Sequence, residues 1–232
     1  MFVEKPLAIN NAQLSAISKV LSTANRQLLT VGFNRRFAPL AQQLSAFYQD
    51  RKEPLYAHYR VNAGYIPSNH WTQDLSIGGG RIIGESCHFI DFITFLVGAA
   101  PVSVAAHALP DGGKYREDNV SVTFTFPDGS IGVVDYLANG DKSFPKERVE
   151  VFCGGKIAVL DDFRALELVE NGNRKTISGR QDKGWKDEMI AFSKSIREGG
   201  QPPIPYEQLI GVTKSTFAAV ESLRTNKTLS IS

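Results

Sequence analysis

Cysteine is scarce in this 232-residue sequence, which contains only Cys87 and Cys153. The two do not form a C-x-x-C pair, and no other metal-ligand residues accompany them. Such sparse cysteine argues against a disulfide framework and is typical of free, buried thiols in a reducing compartment. We therefore expect a cytoplasmic protein.

The sequence also lacks an uninterrupted hydrophobic run long enough to cross a membrane. Its most apolar stretch, residues 89–106, is broken by Asp91, Gly98 and Pro101. The amino terminus places Glu4 where a signal peptide needs an apolar segment. These features predict neither a membrane partner nor a secretion signal.

An excess of charge of one sign is lacking as well. The formal net charge is +2, and the longest basic run is the pair Arg35-Arg36. A nucleic-acid-binding domain normally concentrates positive charge on one face or in one segment. We therefore predict no nucleic acid partner and no attraction to an anionic membrane.

A phosphate-binding glycine loop is missing, because the sequence contains neither G-x-G-x-x-G nor a P-loop. The one glycine cluster, residues 78–80, is not followed by the Lys-Ser/Thr pair of a P-loop. Yet the first 35 residues predict a strand ending at Val3, a helix over 11–23 and a strand over 28–33, which form one βαβ unit. Two parallel strands alone would be poorly covered. We therefore interpret residues 1–36 as the remnant of a dinucleotide-binding domain, and residues 37–232 as a substrate-binding and catalytic domain.

The remaining residues alternate between predicted strands and helices and end in two helices. Turn residues predict hairpins at Asp128-Gly129, at Gly154-Gly155 and at residues 171–173. The predicted helices cover residues 39–48, 81–97, 186–197 and 206–224; the predicted strands cover residues 55–62, 102–108, 119–126, 130–137, 148–153, 156–160, 166–170 and 174–177. This pattern predicts an α+β fold with a large, mainly antiparallel sheet and flanking helices.

The predicted helix over residues 81–97 is apolar on nearly every side but carries Glu85, His88 and Asp91. Residues three apart are neighbours on a helix, so these three form one polar stripe. One interpretation is a buried structural histidine held by Glu85 or Asp91; the other is a catalytic site. A Glu-x-x-His step also occurs in di-iron bundles, but the second copy that such a site needs is absent, and we predict no metal.

Lys5 follows the first predicted strand directly. The carboxyl ends of strands in an open α/β sheet face the ligand crevice. A lysine at this place can donate a hydrogen bond to a substrate oxygen or exchange a proton with it.

Three motifs, taken together, carry a resemblance that extends along almost the whole chain. They are VEKPL at residues 3–7, VGFNRRF at residues 31–37, and GGG at residues 78–80 running to HFID at residues 88–91. In this order and spacing the chain resembles the C-terminal part of the glucose–fructose oxidoreductase / inositol dehydrogenase / MocA (Gfo/Idh/MocA) family, preceded by the end of its Rossmann domain.

The resemblance implies that Lys5 and His88 are catalytic, that the Lys5-Pro6 bond is often cis, and that the late sheet forms the interface of a homo-oligomer. It implies NAD or NADP as the cofactor, with Glu4, Lys5 and Pro6 contacting it. The cofactor would exchange a hydride with a carbinol carbon while Lys5 and His88 manage the hydroxyl proton. Residues implied to contact substrate are Asn34, Arg35, Tyr65, Asn69 and Trp71. Capping or loop packing is the alternative role for these five.

Two departures from the family pattern affect this interpretation. The family usually has an aspartate four residues before the catalytic histidine, where this chain has Gly84. We expect Glu85 to replace that acid and orient His88, and a subgroup of the family has a Gly-Glu pair here. The second departure is the missing glycine-rich Rossmann half, which we expect the gene to encode upstream of Met1.

The sequence therefore predicts the substrate-binding and catalytic portion of an NAD(P)-dependent dehydrogenase that acts on a sugar, nucleotide-sugar or polyol. Without its nucleotide-binding half the chain should bind cofactor weakly and show negligible activity. The alternative is a noncatalytic binding or oligomerisation module derived from the same fold.

Overall fold

The computed structural model describes residues 1–23 and 28–231. The chain begins with the predicted βαβ unit, in which β1 (Phe2–Val3) and β2 (Thr30–Val31) are parallel and α1 (Asn11–Thr23) connects them in sequence. The ladder contains only two residues of each strand, fewer than the predicted 28–33, because the chain turns into a short 3-10 helix (Asn34–Phe37). The division of the chain at residue 36 into two domains stays a prediction.

The remaining strands form one nine-stranded sheet, in the order β10-β9-β8-β7-β3-β6-β5-β4-β11. The strands are β3 (Tyr56–Asn62), β4 (Ser103–Ala108), β5 (Asn119–Thr125), β6 (Ile131–Leu137), β7 (Glu147–Cys153), β8 (Lys156–Asp161), β9 (Ala165–Glu170), β10 (Asn173–Ser178) and β11 (Leu229–Ser230). Every neighbouring pair is antiparallel except β3 and β6, which run parallel. The helices are α2 (Pro39–Phe47), α3 (Cys87–Val97), α4 (Trp185–Glu198) and α5 (Tyr206–Thr225). The predicted α+β fold with a large, mainly antiparallel sheet is confirmed.

The three predicted hairpins form: Asp128-Gly129 lies between the antiparallel strands β5 and β6, and paired turn residues close the other two. Gly154 and Gly155 join β7 to β8 with φ values of 54° and 79°, and Asn171 and Gly172 join β9 to β10 with φ values of 51° and 75°. Two consecutive positive φ angles produce the turn that matches the twist of the strands, and glycine and asparagine tolerate them best.

The core lies between one face of the large sheet and helix α3. Tyr59 of β3 packs on Phe89 and Phe92 of α3, with ring centroids 4.9 Å and 5.4 Å apart. All three are fully buried, and each such side chain contributes roughly 2–3 kcal/mol of burial free energy. This packing fixes α3, and therefore His88, against the sheet.

The opposite face of the sheet remains open to solvent. Tyr56 lies beside Ile131 on one neighbouring strand and Phe152 on the other, and these side chains are 40–42% exposed. Of the described helices, none is long and apolar enough to span a membrane.

Candidate active site

The first and third sequence motifs meet in space. Lys5 follows β1, the Lys5-Pro6 peptide bond is cis, and Lys5 Nζ donates a hydrogen bond to the carbonyl oxygen of Gly84 at 2.9 Å. The two residues are 79 positions apart in the sequence. The structure therefore brings the predicted catalytic lysine to the turn that precedes His88.

That turn is a π-helix over Ile82–Ser86, which leads directly into α3. Single π turns inside helices are rare and frequently occur at functional sites. Gly84 is required here, since a Cβ at this position would lie 2.5 Å from the carbonyl oxygen of Gly78. The aspartate that the family usually has at this position would collide with the same oxygen.

His88 lies in the first turn of α3 and is 8% exposed. Its Nδ1 atom has no hydrogen-bond partner in the described part of the chain, and Phe33 packs on the ring at a centroid distance of 5.9 Å. Burial holds the pKa of His88 well below its usual value, and the nearby positive charges, of which Arg35 acts most strongly, lower it further. The imidazole is therefore neutral at physiological pH and able to accept a proton.

Glu85 does not orient His88, and that expectation was wrong. Its Oε2 accepts a hydrogen bond from the Tyr136 hydroxyl at 2.7 Å and forms an ion pair with Arg81 Nη2 at 2.8 Å, while its Oε1 accepts a hydrogen bond from Lys146 Nζ at 2.8 Å. The wide π turn displaces Glu85 from the stripe that an α-helix would form, and three donors occupy its oxygens. Burial alone would raise the pKa of Glu85, but Lys146 and Arg81 outweigh it and lower the pKa, so the carboxylate is ionised.

Asp91, the third member of the predicted stripe, does not hold His88 either. It is completely buried and accepts hydrogen bonds from Arg36, with Nε at 3.0 Å from Oδ2 and an ion-pair distance of 2.5 Å to Oδ1. The interpretation of His88 as a structural histidine bound by Glu85 or Asp91 is therefore wrong as well.

Arg35 and Asn34 do not extend into an open substrate pocket. Arg35 binds Glu147 through two hydrogen bonds of 2.6 Å and 3.0 Å, and Asn34 donates to the backbone oxygen of Lys183 at 2.7 Å. Both residues are buried, because Glu147 at the start of β7 is itself buried and needs a counter-charge. Their role in substrate binding stays a prediction, with packing as the alternative.

Tyr65, Asn69 and Trp71 lie in the exposed loop between β3 and the π turn. Tyr65 packs edge-on against Tyr115 at 6.1 Å, while Asn69 and Trp71 line a separate cavity of about 510 Å³. The structure does not bring the three into contact with Lys5 or His88. Their role in substrate binding stays a prediction.

Sequence reasoning missed four residues of the site: Tyr136, Lys146, Glu147 and Lys183. Lys183 Nζ lies 2.6 Å from Glu147, which Arg35 also binds. One signal could have revealed Glu147: it shares the inward-facing register of Val149 and Val151 on β7, where an unpaired charge is costly. Tyr136 and Lys146 stand in separate strand and loop segments, and no local pattern indicates that they reach Glu85.

A cavity lined by residues of α1 and α5 lies outside this cluster. It has a volume of about 590 Å³ and is lined by Asn10, Gly79, Phe217 and Glu221, among others, but not by Lys5 or His88. It shares only Arg81 with the Glu85 cluster. This cavity therefore lies apart from Lys5 and His88, the two predicted catalytic residues.

A nicotinamide ring fits the chemistry of this cluster. The neutral imidazole of His88 and the ammonium group of Lys5 are a base and a hydrogen-bond donor, the two groups that alcohol oxidation needs beside the ring. Contact of Glu4, Lys5 and Pro6 with the cofactor stays a prediction.

Comparison with known proteins agrees with this geometry. Residues 53–156 match the family described as GFO/IDH/MocA C-terminal domain. Inositol 2-dehydrogenase of Rhizobium meliloti (strain 1021) is 24% identical over 246 residues, a match that covers 100% of this chain and 73% of that protein.

Solved structures show the same fold. An oxidoreductase domain protein from Kribbella flavida has a TM-score of 0.86 and 18% identity, covering 100% of this chain and 73% of that one. Levoglucosan dehydrogenase in complex with NADH and levoglucosan has a TM-score of 0.81 and 20% identity, covering 99% and 73%. Residues 53–156 of this chain thus match the GFO/IDH/MocA C-terminal domain, and the whole chain is similar to inositol 2-dehydrogenase in sequence and to oxidoreductases in fold.

Proposed function

We propose that this chain supplies the substrate-binding and proton-transfer residues of an NAD(P)-dependent dehydrogenase that acts on a CH–OH group of a sugar, nucleotide-sugar or polyol. The observation that carries the proposal is the hydrogen bond of Lys5 to Gly84, in the π turn that leads directly to the neutral His88. Relatives that act on inositol and levoglucosan support this substrate class.

The bound NAD or NADP supplies hydride chemistry, which protein side chains cannot provide. Lys5 donates a hydrogen bond to the carbinol oxygen and stabilises the charge that develops there. His88 takes the hydroxyl proton during oxidation and returns it during reduction. Phe33 and the buried start of α3 limit the access of water to the imidazole.

The test is turnover by the longest natural protein that contains these residues, comparing the wild type with Lys5→Met and His88→Asn. Each substitution should lower kcat by about 10²–10⁴-fold, and cofactor affinity should be retained in His88→Asn. His107→Asn is the control, because His107 is exposed on β4. Unchanged turnover in His88→Asn would remove His88 from the mechanism.

The 232-residue chain by itself should bind NAD(P)H weakly and turn over negligibly, since its sequence has no glycine-rich phosphate loop. Fluorescence titration with NADH and NADPH measures this directly. Tight binding by the isolated chain would contradict this part of the proposal.

A noncatalytic binding or oligomerisation module is the second candidate. It is favoured by one observation: no described carboxylate orients His88, in contrast to the usual carboxylate–histidine arrangement. This alternative predicts no binding of NADH or NADPH by the longest natural form. Tight cofactor binding there would exclude it.

We also propose that the chain forms a homo-oligomer through the open face of the large sheet, where Tyr56, Ile131 and Phe152 adjoin one another. The free thiols Cys87 and Cys153 support a reducing cytoplasm as its compartment. Sedimentation velocity should give a dimer or larger species, and a monomer at all concentrations would contradict the oligomer.

A further inference from the structure

Two lysine ammonium groups bind two consecutive residues of the π turn, Gly84 and Glu85. Lys5 Nζ binds the carbonyl oxygen of Gly84 at 2.9 Å, and Lys146 Nζ binds the carboxylate of Glu85 at 2.8 Å. Lys5 belongs to the proposed proton-transfer pair. Lys146 comes from the segment just before β7 and has no part in that chemistry.

Both ammonium groups retain unused hydrogen-bonding capacity. An ammonium group has three N–H donors, and the structure gives each lysine one hydrogen-bond acceptor. The Lys146 side chain is 38% exposed, so its remaining donors are accessible from solvent. Lys5 forms no ion pair with a carboxylate anywhere in residues 1–23 and 28–231, as the salt bridges of this part of the chain show.

The positive charges around the turn outnumber the negative charges. The cationic side chains that act on His88 or bind Glu85 are Lys5, Arg35, Arg81, Lys146 and Lys183. The carboxylates within ion-pair distance of these cations are Glu85, Glu147 and Asp162. Asp118 also acts on Arg81, and Asp91 acts on Arg35 while it pairs with Arg36. With these groups included, six cations face five carboxylates.

The excess of positive charge around the π turn indicates which kind of ligand the site would favour. Glu85 serves two cations at once and is already bound by Tyr136, so it cannot neutralise both. Concentrated like charge in a partly buried site is unfavourable unless a ligand of opposite charge fills it. A neutral polyol would leave the excess of positive charge in place, whereas an anionic group on the ligand would neutralise it.

We propose that the substrate of this site carries an anionic group, a carboxylate or a phosphate, and that Lys146 binds this group. Lys5 and His88 then interact with the carbinol that reacts. The proposal rests on the proposed function for the identity of the reacting group. Glu85 then acts as a positioning residue, because it holds the Lys146 ammonium group beside the turn.

The experiment measures ligand binding to the 232-residue chain without cofactor. D-Glucuronate, D-glucose 6-phosphate and D-glucose are titrated separately at millimolar concentrations, and NMR follows the His88 ring and the lysine side chains. The anionic sugars should bind at least about tenfold more tightly than glucose, as expected for charge-assisted hydrogen bonds. The stronger of the two anions identifies the group as carboxylate or phosphate.

Substitutions of Lys146 distinguish direct binding of the anion by this lysine from a general electrostatic attraction of the anion to the protein. Lys146→Met should weaken anion binding by about tenfold and leave glucose binding unchanged, and Lys146→Arg should restore most of the loss. Lys156→Met is the matched control, because Lys156 also pairs with a glutamate, at 3.0 Å, and is 32% exposed, but lies on β8 away from the site. Equal loss in Lys146→Met and Lys156→Met would overturn the proposal.

Preference for glucose, equal affinity for all three sugars, or no binding of either anion would also overturn it. Failure of the proposed function is a different result, namely anion binding without hydride transfer in the longest natural form. Each variant is checked by circular dichroism, so that a loss of binding is not a loss of fold.

Discussion

Glu147 is the most informative residue to perturb, because the buried part of the site is arranged around it. It is 1% exposed and accepts hydrogen bonds from Arg35, from Lys183 at 2.6 Å and from the Tyr59 hydroxyl at 2.5 Å. In the variant Glu147→Gln the two cations lose their shared negative charge but keep a side chain of the same shape. The loss in stability therefore measures the charge interaction.

The expected magnitude follows from the pKa of this carboxyl. Burial alone would raise it, but Arg35 and Lys183 outweigh burial and hold the pKa at about 2, against an ordinary value of 4.5. At about 1.4 kcal/mol for each pH unit, this difference corresponds to about 3 kcal/mol of folding free energy at neutral pH. Measured losses on breaking a buried ion pair, about 3–5 kcal/mol, are of the same size.

The sign of the pH dependence is determined as well. A folded-state pKa below the unfolded value stabilises the protein fully above about pH 4.5, and this contribution is lost as the pH falls towards 2. Urea unfolding of both proteins should therefore show a gap of about 3 kcal/mol at neutral pH that shrinks below about 1 kcal/mol near pH 2.

The control is Glu150→Gln on the same strand. Glu150 is one third exposed and pairs with Arg148 at 2.9 Å, so its loss should cost less than about 0.5 kcal/mol. The reasoning is refuted if Glu147→Gln lies within about 1 kcal/mol of the wild type at neutral pH, or if the gap does not depend on pH.

Two further predictions concern the π turn and a second buried carboxyl. Gly84→Ala should lower the free energy of unfolding by about 2 kcal/mol, because its Cβ would lie 2.5 Å from the Gly78 oxygen. The control Gly179→Ala meets no atom within 4 Å and should leave the stability nearly unchanged. Equal urea midpoints for the two variants would contradict this prediction. Burial and the charge of Glu4 raise the pKa of Glu188 to about 8, so the folded state loses stability as the pH rises from about 4.5 to 8. Glu188→Gln should therefore be more stable than the wild type by about 4 kcal/mol near pH 8 and show almost no gain near pH 4.5. A difference in thermal stability that does not change with pH would contradict the raised pKa.

Much of the fold could be predicted because its signals are local. The Gly154-Gly155 and Asn171-Gly172 turns specify their hairpins within a few residues, and the apolar spacing of α3 and α5 is visible in the sequence. Pairing between distant strands has no such signal. The parallel contact of β3 with β6 and the short strand β11 depend on the packed sheet, and neither was predicted.

The residues of the candidate site likewise fall into those that the sequence predicted and those that it could not. The motifs identified Lys5 and His88, and the structure places Lys5 on the turn before His88. The partners of Glu85 and Arg35 could not be predicted, because ion pairing in a core depends on which cation the fold brings closest. An α-helical spacing rule also misplaced Glu85, because the rule assumes 3.6 residues per turn and the chain forms a π turn there.

The ion pairs of Glu147 join residues that are far apart in the sequence, so they can form only in a fixed order during protein synthesis. Arg35 is made 112 residues before its carboxylate partner, and Lys183 follows 36 residues after it. At about 5–20 residues per second, a nascent chain carries Arg35 without Glu147 for roughly ten seconds. A chain still attached to the ribosome therefore completes this site only when most of its domain has been translated, and premature release before Lys183 would leave the buried charges unbalanced.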